Sequence, residues 1–122
     1  MNKILLFLVL ILSLFFISNE KIGAKMSSEF TQVRAAHILV PTKEEAMQLK
    51  AKIQKGEVKF EDAAAQYSQC PSGARGGDLG YFGRGMMVKE FEVPSFNEPV
   101  GTITDPIQTQ FGWHLIYVID KK

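Results

Sequence analysis

Two stretches of this chain, "TQVRAAHILV" at 31–40 and "GWHLIYVID" at 112–120, are apolar on both of their alternating faces. Successive side chains of a strand point to opposite sides. Val33, Ala35, His37 and Leu39 therefore share one face of the first stretch, and Arg34, Ala36, Ile38 and Val40 the other. In the second, Trp113, Leu115, Tyr117 and Ile119 oppose His114, Ile116 and Val118. Strands that are apolar on both sides must be covered on both sides, so these two belong side by side at the centre of a sheet. Each carries one of the two histidines of the chain.

The intervening residues read as helices and short strands. Pro41 ends the first strand, and Thr42 with Glu45 forms a capping-box pattern that opens a helix. Ala46, Leu49 and Ile53 recur at helical spacing, and Gly56 is placed to stop the helix. Phe60, Ala63, Ala64 and Tyr67 make the stripe of a second helix. Residues 69–80 read as a loop and 80–84 as a short strand. Residues 89–96 read as a brief helix interrupted by Pro94, and "GTITDPIQT" as a strand-like stretch turning at Asp105-Pro106. Helices toward the front and strands at both ends imply an α+β domain with a mostly antiparallel sheet.

A different physics governs the N-terminus. Residues 4–17 contain one polar side chain, Ser13, and are preceded by Lys3 and the α-amine. That pattern describes an export signal, with cleavage after Ala24. The run is short for a spanning helix, which needs about 20 residues. A retained short anchor through residues 4–18 is the other outcome, and either one places the domain outside the cytoplasm. Residues 25–30 read as a linker and 31–122 as the domain.

Beyond Lys21 the charges balance. Removing Lys3 and Lys21 from the fourteen basic residues, and Glu20 from the thirteen acidic ones, leaves twelve of each. A neutral domain gives no electrostatic reason to expect nucleic acid. Cys70 is the only cysteine, so no internal disulfide forms. A monomer resting on its own packed core is expected.

Three groups of residues could carry chemistry. His37 and His114 each read singly as core histidines, but paired central strands would bring them within hydrogen-bond reach. Cys70 reads as a packing or polar lining thiol, with a histidine-activated nucleophile as the alternative. No close-spaced metal-ligand motif accompanies these residues, and no cofactor is implied. "GARGGDLG" lacks the spacing of a phosphate loop. The glycines of "GGDLGYFGRGMM", residues 76–87, let the backbone turn sharply. They can fold Leu79, Met87 and Phe91 around a small apolar concavity, with thioether and aromatic walls.

These segments resemble the parvulin-type peptidyl-prolyl cis/trans isomerases. "RAAHILV" is similar to the first strand of that family, "YSQCPSGARGGDLGYFGRGMMVKEFE" to its central signature, and "PIQTQFGWHLIYV" to its final strand. The resemblance covers residues 29–122 and implies a four-stranded, mostly antiparallel sheet surrounded by about four helices, an FKBP-like arrangement. It assigns His37, Cys70 and His114 to the catalytic site, with Thr109 bonding the histidine pair. Leu79, Met87 and Phe91 become the proline pocket, with Phe96 lining behind. Val88 and Phe111 depart from residues found in some members. The basic loop of phosphate-directed members is absent, since only Pro41 separates the first strand from Thr42.

The resemblance implies rotation of Xaa-Pro bonds in proline-containing unfolded polypeptides, without a covalent intermediate. An exported peptide holdase with little turnover is the alternative on the same scaffold. A cysteine-dependent transferase or hydrolase is a third reading.

Overall fold

The computed structural model describes residues 30–122, of which Thr31–Lys122 form one compact unit. The expected signal or anchor, and all of the expected linker except Phe30, lie outside the described residues. The elements are β1 (Gln32–Val40), α1 (Lys43–Gln54), α2 (Phe60–Tyr67), a 3-10 helix (Pro71–Arg75), β2 (Asp78–Gly83), α3 (Lys89–Asn97), β3 (Ile107–Thr109) and β4 (Gly112–Lys121).

The strands form one sheet in the order β2-β1-β4-β3, every neighbouring pair antiparallel. The two doubly apolar strands sit at its centre, as their composition requires. On one face Val33, Ala35, Ile116 and Val118 pack against Phe82, Phe91 and Phe96. On the other, Ile38, Val40 and Leu115 pack against Ala46 and Leu49 of α1 and Ala63 and Ala64 of α2. Helices α1 and α2 thus cover one side of the sheet, and α3 covers part of the other. That leaves the His37 and His114 positions at the open end of the α3 side.

Local chemistry fixes the ends of α1. The Thr42 hydroxyl accepts from the Glu45 backbone N–H at 3.2 Å, and Glu44 and Glu45 sit in the first turn, where the helix dipole favours negative charge. Gly56, at φ +79°, takes the left-handed conformation just beyond the helix.

Three expectations need correction. Pro94 does not interrupt its helix: α3 runs unbroken through it to Asn97. Proline forfeits one backbone hydrogen bond, but Phe91, Ser95 and Phe96 are buried around it and the Ser95 hydroxyl donates to the Phe91 carbonyl at 2.8 Å. Residues 69–80 are not all loop, because a 3-10 turn occupies 71–75 and β2 begins at Asp78, two positions before the expected strand. Positive φ at Gly76 and Gly77 makes that tight reversal accessible. Finally, "GTITDPIQT" yields only an isolated Ile103–Tyr117 bridge and the three-residue β3, since Pro106 between them has no N–H for a ladder. Among the described residues the helices number three α and one 3-10, which together make up the expected four.

Candidate active site

The β1–β4 register brings the histidines together. His37 pairs with Ile116 and His114 with Leu39, so the two imidazoles are diagonal neighbours on one face. Their Nδ1 atoms are 3.0 Å apart, with the ring planes inclined by only 16°. Thr109 extends the chain of bonds: its hydroxyl lies 2.7 Å from His114 Nε2 and accepts from the Phe111 N–H at 3.1 Å. One proton must lie between the Nδ1 atoms. When His37 supplies it, His114 carries its own proton on Nε2 and donates to Thr109. When His114 supplies it, the Thr109 hydroxyl donates to Nε2. In both arrangements His37 Nε2 is a buried polar atom without a partner among the described residues.

Burial sets the protonation state. Loss of hydration, and then the proximity of His114, push His37 down to about 4. His114 is also lowered, by burial. Both rings are therefore neutral at physiological pH. Phe91 meets each of them at a steep angle, its centroid 5.5 Å from His37 and 5.4 Å from His114.

Cys70 arrives from the turn after α2 and caps the 3-10 helix. It is half-buried, and its sulfur accepts from the Ser72 hydroxyl at 3.2 Å. A cavity of about 510 Å³ joins Cys70 to both histidines, Leu79, Met87 and Phe91. Leu39, Met86, Val88 and Phe111 add apolar surface, and among the described residues no lysine or arginine lines the cavity. Six of the eight residues singled out from the sequence thus share one hollow. Thr109 stands behind His114 and reaches the cavity only through it. Phe96 is core: it is 1 % exposed, packs edge-on against Phe82, and does not line the cavity.

Backbone geometry holds the cavity open. Gly77 has φ +82°, and a Cβ there would fall 2.3 Å from the His37 carbonyl oxygen. Only glycine lets the "GGDLG" turn lie this close to β1. Asp78 then anchors the turn, pairing with Arg34 and accepting from the Gly80 N–H at 2.9 Å. The hydrogen bond from Arg34 holds the Asp78 carboxyl below its usual range. Asp78 was not singled out from the sequence, although an aspartate two positions before a glycine is the signal of an Asx turn.

The class of domain that this sheet order and hollow define is the parvulin one. Comparison with known proteins agrees. Residues 24–120 match the family described as "Rotamase: PPIC-type PPIASE domain". A foldase protein PrsA of Geobacillus kaustophilus is 49% identical over 92 residues, covering 75% of this chain and 32% of the relative. The Bacillus subtilis foldase protein PrsA is 44% identical over 92 residues, covering 75% and 31%. Among solved structures, the peptidylprolyl isomerase PrsA of Bacillus anthracis superimposes with a TM-score of 0.74 at 39% identity, covering 84% of this chain and 46% of that one. NmPin, the parvulin of Nitrosopumilus maritimus, gives 0.67 at 37% identity, covering 74% and 97%. The chain belongs to the PPIC-type peptidyl-prolyl isomerase family. It spans about a third of the length of the curated relatives it matches.

Proposed function

We propose that this chain catalyses cis/trans isomerisation of Xaa-Pro bonds in unfolded polypeptides, outside the cytoplasm, by a non-covalent route. The observation that carries this reading is the convergence of Leu79, Met87 and Phe91 with Cys70, His37 and His114 on one cavity. Family membership and the similarity to PrsA foldases support it.

The chemistry follows from amide resonance. Rotation about the peptide bond must break conjugation, a barrier of about 18–20 kcal/mol, and uncatalysed exchange takes about 10–100 s. A prolyl ring held between Leu79, Met87 and Phe91 fixes one side of the bond. The carbonyl side then swings past Cys70 and the imidazoles. Only contacts stronger in the twisted than in the planar geometry accelerate the step. An apolar wall also disfavours the charge-separated resonance form that stiffens the planar amide. Lowering the barrier by about 5 kcal/mol corresponds to roughly 10³–10⁴-fold. Cys70 lines the site and forms no bond to substrate.

The cation-free lining supports a substrate without phosphate. The apolar 4–18 segment and the PrsA likeness support exported clients and an extracytoplasmic address. A protease-coupled assay with an Ala-Pro-Phe peptide tests the reading. Catalysed exchange is expected. Binding of the peptide without acceleration would replace isomerase by holdase.

A further inference from the structure

We infer that Ser68 is a positioning residue, holding the Cys70 segment against β1 so that the thiol stays beside the histidine pair. The inference rests on the isomerase reading for its kinetic consequence alone.

The reason lies in how the outer edge of β1 is completed. Strand β2 pairs with β1 only from Gln32 to Ala36. From His37 onward, β1 has β4 on one side and, among the described residues, no strand on the other. An exposed edge of unpaired N–H and C=O groups beneath an active-site hollow would be costly. The segment from Ser68 to Gly77 takes the place of the missing strand. The His37 N–H donates to the Gly77 carbonyl at 2.9 Å, and the Gln69 N–H donates to the Leu39 carbonyl at 2.8 Å. The Leu39 N–H, between these two, donates to a side chain, the Ser68 hydroxyl oxygen, at 3.0 Å.

That same oxygen accepts from the Cys70 N–H at 3.3 Å. One side-chain atom therefore bridges the strand that carries His37 and the residue that carries the thiol. Helix α2 ends with the Ser68 N–H bonded to the Ala64 carbonyl at 3.0 Å, so Ser68 is itself fixed from behind. Beyond Cys70, Gly73 seats closely on that helix, since a Cβ there would lie 2.6 Å from the Ala64 carbonyl oxygen. The segment is pinned before and after the thiol, and among the described residues Ser68 supplies the only side-chain bond from positions 68–77 to β1. Ser68 does not line the cavity. Its effect on the reaction is indirect, through the place of Cys70.

Removing the oxygen leaves two amide donors without their acceptor. The segment loosens, and the thiol moves relative to His37 while the proline pocket, built from β2, α3 and the turn between them, is untouched. The expected signature is a fall in kcat with KM nearly kept.

The experiment compares the full chain with its S68A, S68T and T42A variants. Turnover is read by magnetisation exchange on a proline peptide, and the thiol by its rate of alkylation with iodoacetamide. S68A is expected to lose about tenfold in kcat with KM within about twofold, as misplacement by a fraction of an ångström does. Its alkylation should be several-fold faster. S68T restores the oxygen and should recover both values. T42A removes the exposed cap of α1, lowers the melting temperature, and should leave kcat and alkylation unchanged. An S68A chain with unaltered kcat and alkylation overturns the inference, and so does a T42A chain that reproduces its losses. If S68A does not fold, amide hydrogen exchange on the unaltered chain decides: protected Leu39 and Cys70 amides support the bridge, and freely exchanging ones overturn it. Absence of turnover in the unaltered chain sinks the isomerase reading, while alkylation and exchange still decide the bridge.

Discussion

His37 and His114 share a hydrogen bond of 3.0 Å although 77 positions separate them, and neither is opposite the other in the β1–β4 ladder. Each is nearly buried, so the bond forms where charge is disfavoured. That gives the fold a pH dependence of definite sign. The folded state binds fewer protons than the unfolded chain between the ordinary histidine value of 6.5 and the His37 value of about 4. Stability from this source is fully present above pH 6.5 and is lost as pH falls toward 4. On the order of 3 kcal/mol is expected to disappear across that window from His37. Urea titrations at pH 7.5 and 5 check this. A His37→Phe, His114→Phe chain should show a clearly flatter profile, and an equal slope in the two chains would refute the assignment.

The two imidazoles also make a catalytic prediction. If they shape the field around the rotating carbonyl, the same double variant should fold yet isomerise a proline peptide at least about tenfold more slowly. Normal turnover in a folded double variant would make the histidines a structural clasp and nothing more.

Cys70 should tolerate conversion to a carboxylate. A non-covalent route needs a small polar group at the cavity wall, and Cys70→Asp supplies one. We expect turnover within about tenfold of the parent chain, measured with circular dichroism as a check on folding. A folded variant that is wholly inactive would revive the thiol nucleophile.

Gly77 and Gly80 separate crowding from conformational strain. Both have positive φ, +82° and +71°. Among the described residues a Cβ at Gly80 meets nothing within 4 Å, whereas at Gly77 it meets the His37 carbonyl at 2.3 Å. Gly80→Ala should cost about 1 kcal/mol, the strain of a left-handed alanine. Gly77→Ala should cost several times more and disturb the imidazole bond. Equal unfolding midpoints for the two variants would contradict this.

Met87 and Phe91 are expected to part company in a similar way. Phe91 is 3 % exposed and supports both imidazoles, so Phe91→Ala should lose about 3–5 kcal/mol as well as activity. Met87 is half-buried at the cavity, so Met87→Ala should raise KM with a much smaller loss of stability. Denaturant titration beside peptide kinetics measures the difference.

Much of this was legible in the chain. The alternation of Val33, Ala35 and His37 against Ala36, Ile38 and Val40 gave both faces of β1, because side-chain direction in a strand is local. Thr42, Gly56 and the Phe60–Tyr67 stripe marked α1 and α2 for the same reason: caps and helical periodicity act over a few residues. Three motifs in order carried the family. Pro94 misled, since its local preference was overridden by the burial of Phe91 and Phe96 on either side of it.

What the sequence could not decide was register and the route of the Cys70 segment. A slip of one residue between β1 and β4 would turn His114 to the opposite face, and no local pattern excludes it. The offset that places His114 opposite Leu39 comes from the whole ladder, including the irregularity between Arg34 and Ala35. Likewise, nothing near Ser68 shows that its hydroxyl completes the edge of a strand 29 positions earlier. Those contacts exist because backbone groups left unpaired beside β1 must find partners, and which atoms they find is settled only once the chain has closed on itself.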